Sequence, residues 1–379
     1  MARAPLSAAA EIEAAPEADC LDGFTHPRFT PRLYGHGEAE DMLAAALHSG
    51  RMHHAWLISG REGIGKATLA YRFARAALAR PVERDMFATS LDIDASTATA
   101  HQVAALSHPG LLVLRRGYEP KTKRFHASIS VDEVRRLRSF LSLSAEEGSR
   151  RVVIVDSADE MNLNAANALL KSLEEPPPQT IFLIVSSAPR RLLATIRSRC
   201  RILNLSPLSE PDLRRACVQA LTEAGKGQLS EDDFAALRTL ADGSVRRLLS
   251  LKEGGGMALQ AKIDRIFAAL PKLDLKAAHA LADELQPAAA EQKFALFYDL
   301  FQTTLARLIK RSAIAAPQGS ATPAEAALAA RIITPHRLAT FAELWETLAR
   351  DKADASALNL DRKALILDTL TRLETAARS

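Results

Sequence analysis

The run Leu57-Ile58-Ser59-Gly60-Arg61-Glu62-Gly63-Ile64-Gly65-Lys66-Ala67-Thr68 has the residue types and spacing of a loop that wraps a polyphosphate. In G-x-x-x-x-G-K-[S/T], glycines let backbone N–H groups close on phosphate oxygens, the Lys reaches the outer phosphates, and a hydroxyl ligates Mg²⁺. Gly60, Gly63, Gly65 and Lys66 supply such a cradle, but Ala67 stands where the hydroxyl belongs. A methyl offers no lone pair to a cation that takes oxygen ligands. Thr68, the next candidate to line the site, is rotated by about 100° around the helix and is a poor substitute. The loop reads as able to hold a nucleotide and badly equipped to turn it over.

A second place for chemistry is Arg151-Val152-Val153-Ile154-Val155-Asp156-Ser157. In P-loop ATPases an apolar strand ends in an Asp that organises Mg²⁺, and motor enzymes follow it at once with a Glu that polarises water. Here Ser157 takes the second position, and Asp159 and Glu160 lie farther along. Metal ligation and water activation are therefore both impaired. Asp156 reads as a vestigial metal organiser or as a strand-end cap, and Lys66 as a phosphate ligand or as a solvated charge at a helix start. No metal centre is expected, because Cys20, Cys200 and Cys217 form no C-x-x-C pair and His101 and His108 have no partner ligands.

Two further motifs are Asn164-Ala165-Ala166-Asn167-Ala168-Leu169-Leu170-Lys171-Ser172-Leu173-Glu174-Glu175-Pro176-Pro177 and Ile196-Arg197-Ser198-Arg199-Cys200. Together with Gly60 to Thr68 and Asp156 to Glu160, in this order, they make the chain resemble the bacterial clamp-loader ATPases from about Gly35 to Leu251. The rest resembles them only in architecture. The resemblance implies an α/β P-loop module of the AAA+ type, a small helical lid, and an all-α C-terminal domain that joins a five-subunit collar. The implied partners are the other loader subunits, gamma/tau and delta, and through them the sliding clamp and primed DNA of replication. Arg199 then corresponds to an arginine finger that works in trans on a neighbour's ATP site. A fixed guanidinium there stabilises charge developing on the γ-phosphoryl group. Arg246, in Gly243-Ser244-Val245-Arg246, resembles the lid arginine that senses the γ-phosphate, and a structural salt bridge is its other reading. Many relatives carry a four-cysteine zinc module before the Asp strand, but no cysteine lies between Cys20 and Cys200, so zinc is not expected. No cofactor is required, and retention of ATP or ADP without turnover stays open.

The elements that must position these residues follow from periodicity. Ala55–Ser59, Leu111–Leu114, Ala127–Ser130, Arg151–Asp156 and Ile181–Val185 read as strands, with helices from Lys66, over Val131–Leu143 and over Asn164–Glu175, the last stopped by Pro176. Strands alternating with helices after the loop imply a doubly wound parallel sheet with the phosphate site at the strand carboxyl ends. Arg80 to His108 is expected to be irregular, and Arg115 to Arg124 to form a solvated basic hairpin. From Ser206 the pattern is helical throughout, with a joint at Gly254-Gly255-Gly256 and a flexible loop over Ala313–Thr322. The expected parts are a disordered tail over 1–29, the P-loop domain over 30–205, the lid over 206–256 and the collar domain over 257–379. Phe341 and Trp345, one helical turn apart, read as core, and Cys200 as a small buried hydrophobe.

At 379 residues, 47% hydrophobic and 25% charged, the composition is that of an ordinary soluble globular protein of two or three domains. No apolar run reaches the roughly 20 residues of a spanning helix, and the first residues lack the apolar core of a secretory signal. A cytoplasmic location without membrane contact is expected. The net charge of +4 is small against 49 basic and 45 acidic side chains, and argues little for nucleic acid. Three functions stay open: an accessory loader subunit giving Arg199 in trans, a hydrolysing motor subunit of the same loader, and a structural AAA+ protein outside replication.

Overall fold

A computed structural model of the chain describes residues 16–84, 90–122, 124–142, 149–313, 323–358 and 361–378. It divides into two compact units. The first runs through Leu229 and includes Gly243–Arg246, and the second comprises Ser230–Asp242 and the chain from Arg247 onward.

The first unit contains α1 (Gly37–His48), β1 (Ala55–Ser59), α2 (Lys66–Leu78), α3 (Ala98–Ala104), β2 (Leu111–Leu114), β3 (Tyr118–Glu119), β4 (Arg124–Phe125), α4 (Val131–Ser142) and β5 (Arg151–Val155). It continues with α5 (Leu163–Glu174), β6 (Thr180–Ser186), α6 (Ala194–Arg197), β7 (Arg201–Asn204) and α7 (Glu210–Glu223). Five strands form the expected parallel sheet, in the order β2-β5-β6-β1-β7. Parallel neighbours need crossover connections, which cover both faces, so the strands read as unbroken apolar runs. Alternate side chains feed two cores. Trp56, Ile58, Val152, Ile154 and Leu183 pack with α1 and α2, whereas Leu57, Val153, Val155, Phe182 and Ile184 pack with α4 and α5. The register pairs Ser59 with Ser186 and Val155 with Ile184, so β1 and β6 end together and β5 ends two residues short of them. Ligands of such sheets sit beyond these carboxyl ends, where connections diverge.

Several local expectations need correction. The segment Arg80 to His108 holds a helix, α3, whose N-terminus is capped by Thr97 accepting from the Ala100 N–H. Ala127 to Ser130 is not a strand; Ile129 makes one isolated parallel bridge to Met161. The basic stretch does form a small hairpin, β3 against β4. Arg115 and Arg116 are not solvated, however, since they pair with Glu17 and Asp19 and with Glu160, respectively. Residues 16–29 are not a disordered tail: His26 is buried, and Pro27–Phe29 form a 3₁₀ turn. Residues 1–15 lie outside the described residues, as does most of the loop expected over Ala313–Thr322. Helix α7 belongs to the first unit.

The second unit is helical: α8 (Glu231–Ala241), α9 (Val245–Glu253, from Arg247), α10 (Gly256–Ala269), α11 (Leu275–Leu285), α12 (Glu291–Ala313), α13 (Pro323–Ile332), α14 (Leu338–Leu358) and α15 (Arg362–Arg378). Gly255 adopts a left-handed conformation between α9 and α10, so the triple glycine is a joint there. Phe267, Phe297 and Phe301 stack in the core, and the buried Tyr298 hydroxyl meets Thr369 Oγ1 at 2.9 Å. Phe341 is buried, but Trp345 is 39% exposed and donates its indole N–H to the Gln302 carbonyl, which corrects its core assignment. Among the described residues no helix is long and apolar enough to cross a membrane.

Candidate nucleotide-binding site

The loop between β1 and α2 is shaped by glycines at positive φ. At Gly63, φ is +74°, and a Cβ would lie 2.4 Å from Arg246 Cβ and 2.6 Å from Ser244 Oγ. At Gly60 it would lie 2.6 Å from the Leu205 carbonyl oxygen, so neither position accepts a side chain without rearrangement. The segment before α9 clasps the loop from outside: Val245 N–H donates to Gly63 O at 2.9 Å, and Ser244 Oγ to Glu62 O at 2.8 Å. Gly65, at φ +107°, opens α2, which has no side-chain cap and no acid in its first turn. Its first N–H groups and positive end therefore suit an anion. Lys66 is buried and donates to Gly60 O and Ser187 Oγ, each at 2.9 Å, and to Arg61 O. Burial pushes its ammonium down to about 8, against the opposing pull of Glu62, Asp156 and Asp159. Ala67 is half-buried, and Thr68 is buried in the packed body of α2.

Asp156, at the end of β5, is buried, and its Oδ1 accepts the Ser157 N–H at 2.8 Å. Its other neighbour was not foreseen. Burial first, then the Asp19 charge, drives its carboxyl toward the protonated form. Asp19 stays ionised: burial opposes this, but the hydrogen bond from His26 and the charge of the Arg115 guanidinium hold it well below the usual range. His26 Nδ1 accepts the Arg28 N–H, so Nε2 carries the ring proton and faces Asp19 Oδ2 at 2.8 Å and Glu17 Oε2 at 3.0 Å. Glu17, Asp19 and His26 have metal-ligand types, but Arg28 and Arg115 already supply counter-charge to both carboxylates. Asp159 accepts from Ser186 Oγ at 2.7 Å and Ser187 N at 3.0 Å, beside Lys66. It caps β6. Arg246 bonds Glu62 Oε1 through Nε at 3.2 Å and the Cys20 carbonyl through Nη2 at 3.4 Å.

A protonated buried carboxyl has a testable pH signature. Its folded pKa lies above the ordinary carboxylate range, so the stability it contributes is full below that range and is lost as pH rises through the folded value. Asp156→Asn cannot lose that proton. Relative to wild type, its thermal midpoint should climb between pH 5 and pH 9. A constant offset between the two melting curves across that range contradicts the assignment.

Arg199 stands apart from this cluster, in the turn between α6 and β7. Its Nη2 pairs with Glu174 Oε1 at 2.8 Å, and its Nη1 donates to the Thr195 carbonyl at 2.9 Å, leaving the side chain 35% exposed. Glu174 ends α5, so the Glu-Glu-Pro-Pro and Ser-Arg-Cys motifs meet through this ion pair. Cys200 next to it donates to Ile196 O, and burial pushes its thiol up to about 11, as suits a packing residue.

A family model described as DNA polymerase III, delta subunit, matches residues 35–209, which includes the loop, Asp156 and Arg199. The DNA polymerase III subunit delta-prime of Pseudomonas aeruginosa is 42% identical over 148 residues, covering 39% of this chain and 41% of that protein. Over residues 35–209 the chain is similar to the delta-prime subunits of DNA polymerase III. The Escherichia coli delta-prime subunit is 32% identical over 214 residues, 56% of this chain and 59% of its own. The chain thus spans about two fifths to three fifths of the length of these delta-prime relatives. A DNA polymerase III gamma subunit-related protein from Thermotoga maritima covers 89% of this chain and 99% of its own at 18% identity, with a TM-score of 0.43.

Proposed function

We propose that this chain is an accessory subunit of a DNA polymerase III clamp loader that does not hydrolyse ATP and lends Arg199 to a neighbouring subunit's site. The observation that carries this reading is Asp156. The acid at the end of β5 is buried and driven toward its neutral form, and Ala67 offers the metal no oxygen. Arg199, by contrast, is partly exposed and fixed in direction by Glu174. The partners this implies are the gamma/tau and delta subunits, met through the helical second unit, and the sliding clamp and primed DNA through the assembly. A nucleotide, if held, is not turned over.

Phosphate release is the test. The isolated chain, supplied with ATP and magnesium, should release phosphate at the background rate, whether or not clamp and primed DNA are present. Added to purified motor and delta subunits, it should raise their clamp-stimulated hydrolysis and permit clamp loading. Steady turnover by the isolated chain that disappears in Lys66→Ala would make it a motor, and failure to assemble with the loader subunits would place it outside replication.

A further inference from the structure

Three groups that a P-loop would turn toward a nucleoside triphosphate are all engaged by this chain itself. Lys66 is taken by the loop's own carbonyls and by Ser187. Asp156 is buried and its Oδ1 accepts the Ser157 N–H at 2.8 Å. Arg246, seated over Gly63, donates to the Cys20 carbonyl. That carbonyl lies in one short acidic stretch with Glu17 and Asp19, brought to the loop from the start of the described chain. That stretch is not loosely laid down. A turn closes it from Cys20 N to Glu17 O at 3.1 Å, and Arg115 clamps Glu17 and Asp19. Beyond it, Arg28 Nε donates to Ala104 O at 2.7 Å, while Arg75 of α2 donates to Arg28 O and Thr30 O.

We propose that Glu17–Cys20 is an internal occupant of the phosphate-binding corner, an acidic segment that competes with nucleoside triphosphate for Arg246 and the space beside it. The proposal rests on the reading of an inert site and names what fills it. The chemistry is direct. An anionic triphosphate entering the loop must take Arg246 from a carbonyl, draw Lys66 from Gly60 and Arg61, and bring its charge against Glu17 and Asp19. Loss of the hydroxyl at position 67 and occupancy by the segment are then two separate obstacles, and the second is reversible.

The probe is N-methylanthraniloyl-ATP, titrated by fluorescence into the full chain without magnesium. Glu17→Ala/Asp19→Ala should bind it at least tenfold more tightly than wild type, and adding Lys66→Ala should abolish the gain. A folded double variant with no gain, or a gain that survives Lys66→Ala, overturns the proposal. Wild type gives an independent reading through Cys20, whose thiol bonds Leu21 O and Phe24 O inside the segment. Millimolar ATP should speed Cys20 alkylation at least twofold, with Cys217 as a buried reference, and should have no effect in Lys66→Ala. If the double variant does not fold, an alkylation rate indifferent to ATP overturns the proposal. Neither result touches the Arg199 reading, which is measured on the neighbour's hydrolysis.

Discussion

Arg199→Ala, assembled with wild-type motor and delta subunits, is expected to lower clamp- and DNA-stimulated ATP hydrolysis at the adjoining site by on the order of 10³-fold or more. The total rate of the complex should fall by the share that this one site contributes. The size of the effect follows from what a guanidinium does in phosphoryl transfer: it meets charge that develops only in the transition state, so its loss acts on turnover and leaves nucleotide affinity nearly unchanged. Arg199→Lys should not restore the rate, because an ammonium lacks the planar fork. Glu174→Ala should give a smaller loss. In the free chain Glu174 and the Thr195 carbonyl hold the guanidinium's direction, and without Glu174 the side chain must be ordered at each encounter. Both members of the pair are substantially exposed, so its contribution to stability is small and the variants should melt within a degree or two of wild type. Normal stimulated hydrolysis by an intact Arg199→Ala complex, shown by gel filtration to contain every subunit, would remove Arg199 from the mechanism.

The sheet was legible in the sequence because a strand buried on both faces leaves a local mark. Val152 to Val155 and Ile181 to Val185 are unbroken apolar runs, and their neighbours in the sheet follow from where crossover helices fit. The loop was legible for a similar reason: Gly60, Gly63 and Gly65 are required by contacts that any side chain would violate. What sequence did not reveal depends on pairings between residues far apart. Asp19 and Arg115 are separated by 96 positions, and nothing near either one signals the other. A basic run beside a turn looks solvated until its counter-ions are located, and an acidic N-terminal segment looks like a tail. Helix α3 escaped for another reason, since its buried side presents only Thr99, Ala100 and Val103, too few large apolar groups to set a period. The Thr97 cap was the available signal. Asp156 shows the same limit within the site itself. Its position at a strand end was plain, but its protonation depends on Asp19, whose approach is a tertiary event.

Removing the cation at the centre of that pairing should be costly. Arg115→Met is expected to reduce the stability of the first unit by about 3 kcal/mol, read from urea unfolding, because it leaves two carboxylates without their shared guanidinium in a place where water reaches them poorly. Arg115 Nη1 lies 2.8 Å from Asp19 Oδ1, 3.1 Å from Glu17 Oε2 and 3.3 Å from His26 Nε2, and the Asp19 side chain is only 4% exposed. Met keeps most of the volume, so the loss reports charge rather than a cavity. Asp19→Asn in the same chain should recover a substantial part of it, the coupling that a double-mutant cycle measures. The pH dependence supplies the sign. Arg115 helps hold Asp19 below the usual carboxylate range, so the stability that Asp19 contributes is present above that range and is lost as pH falls through its folded value. Without Arg115 the folded value rises, and acid unfolding should begin at a higher pH than in wild type. A loss below about 1 kcal/mol, with the acid limb unmoved, would mean that the pairing contributes no more than exposed ion pairs do, and that the segment it anchors is free to leave the loop.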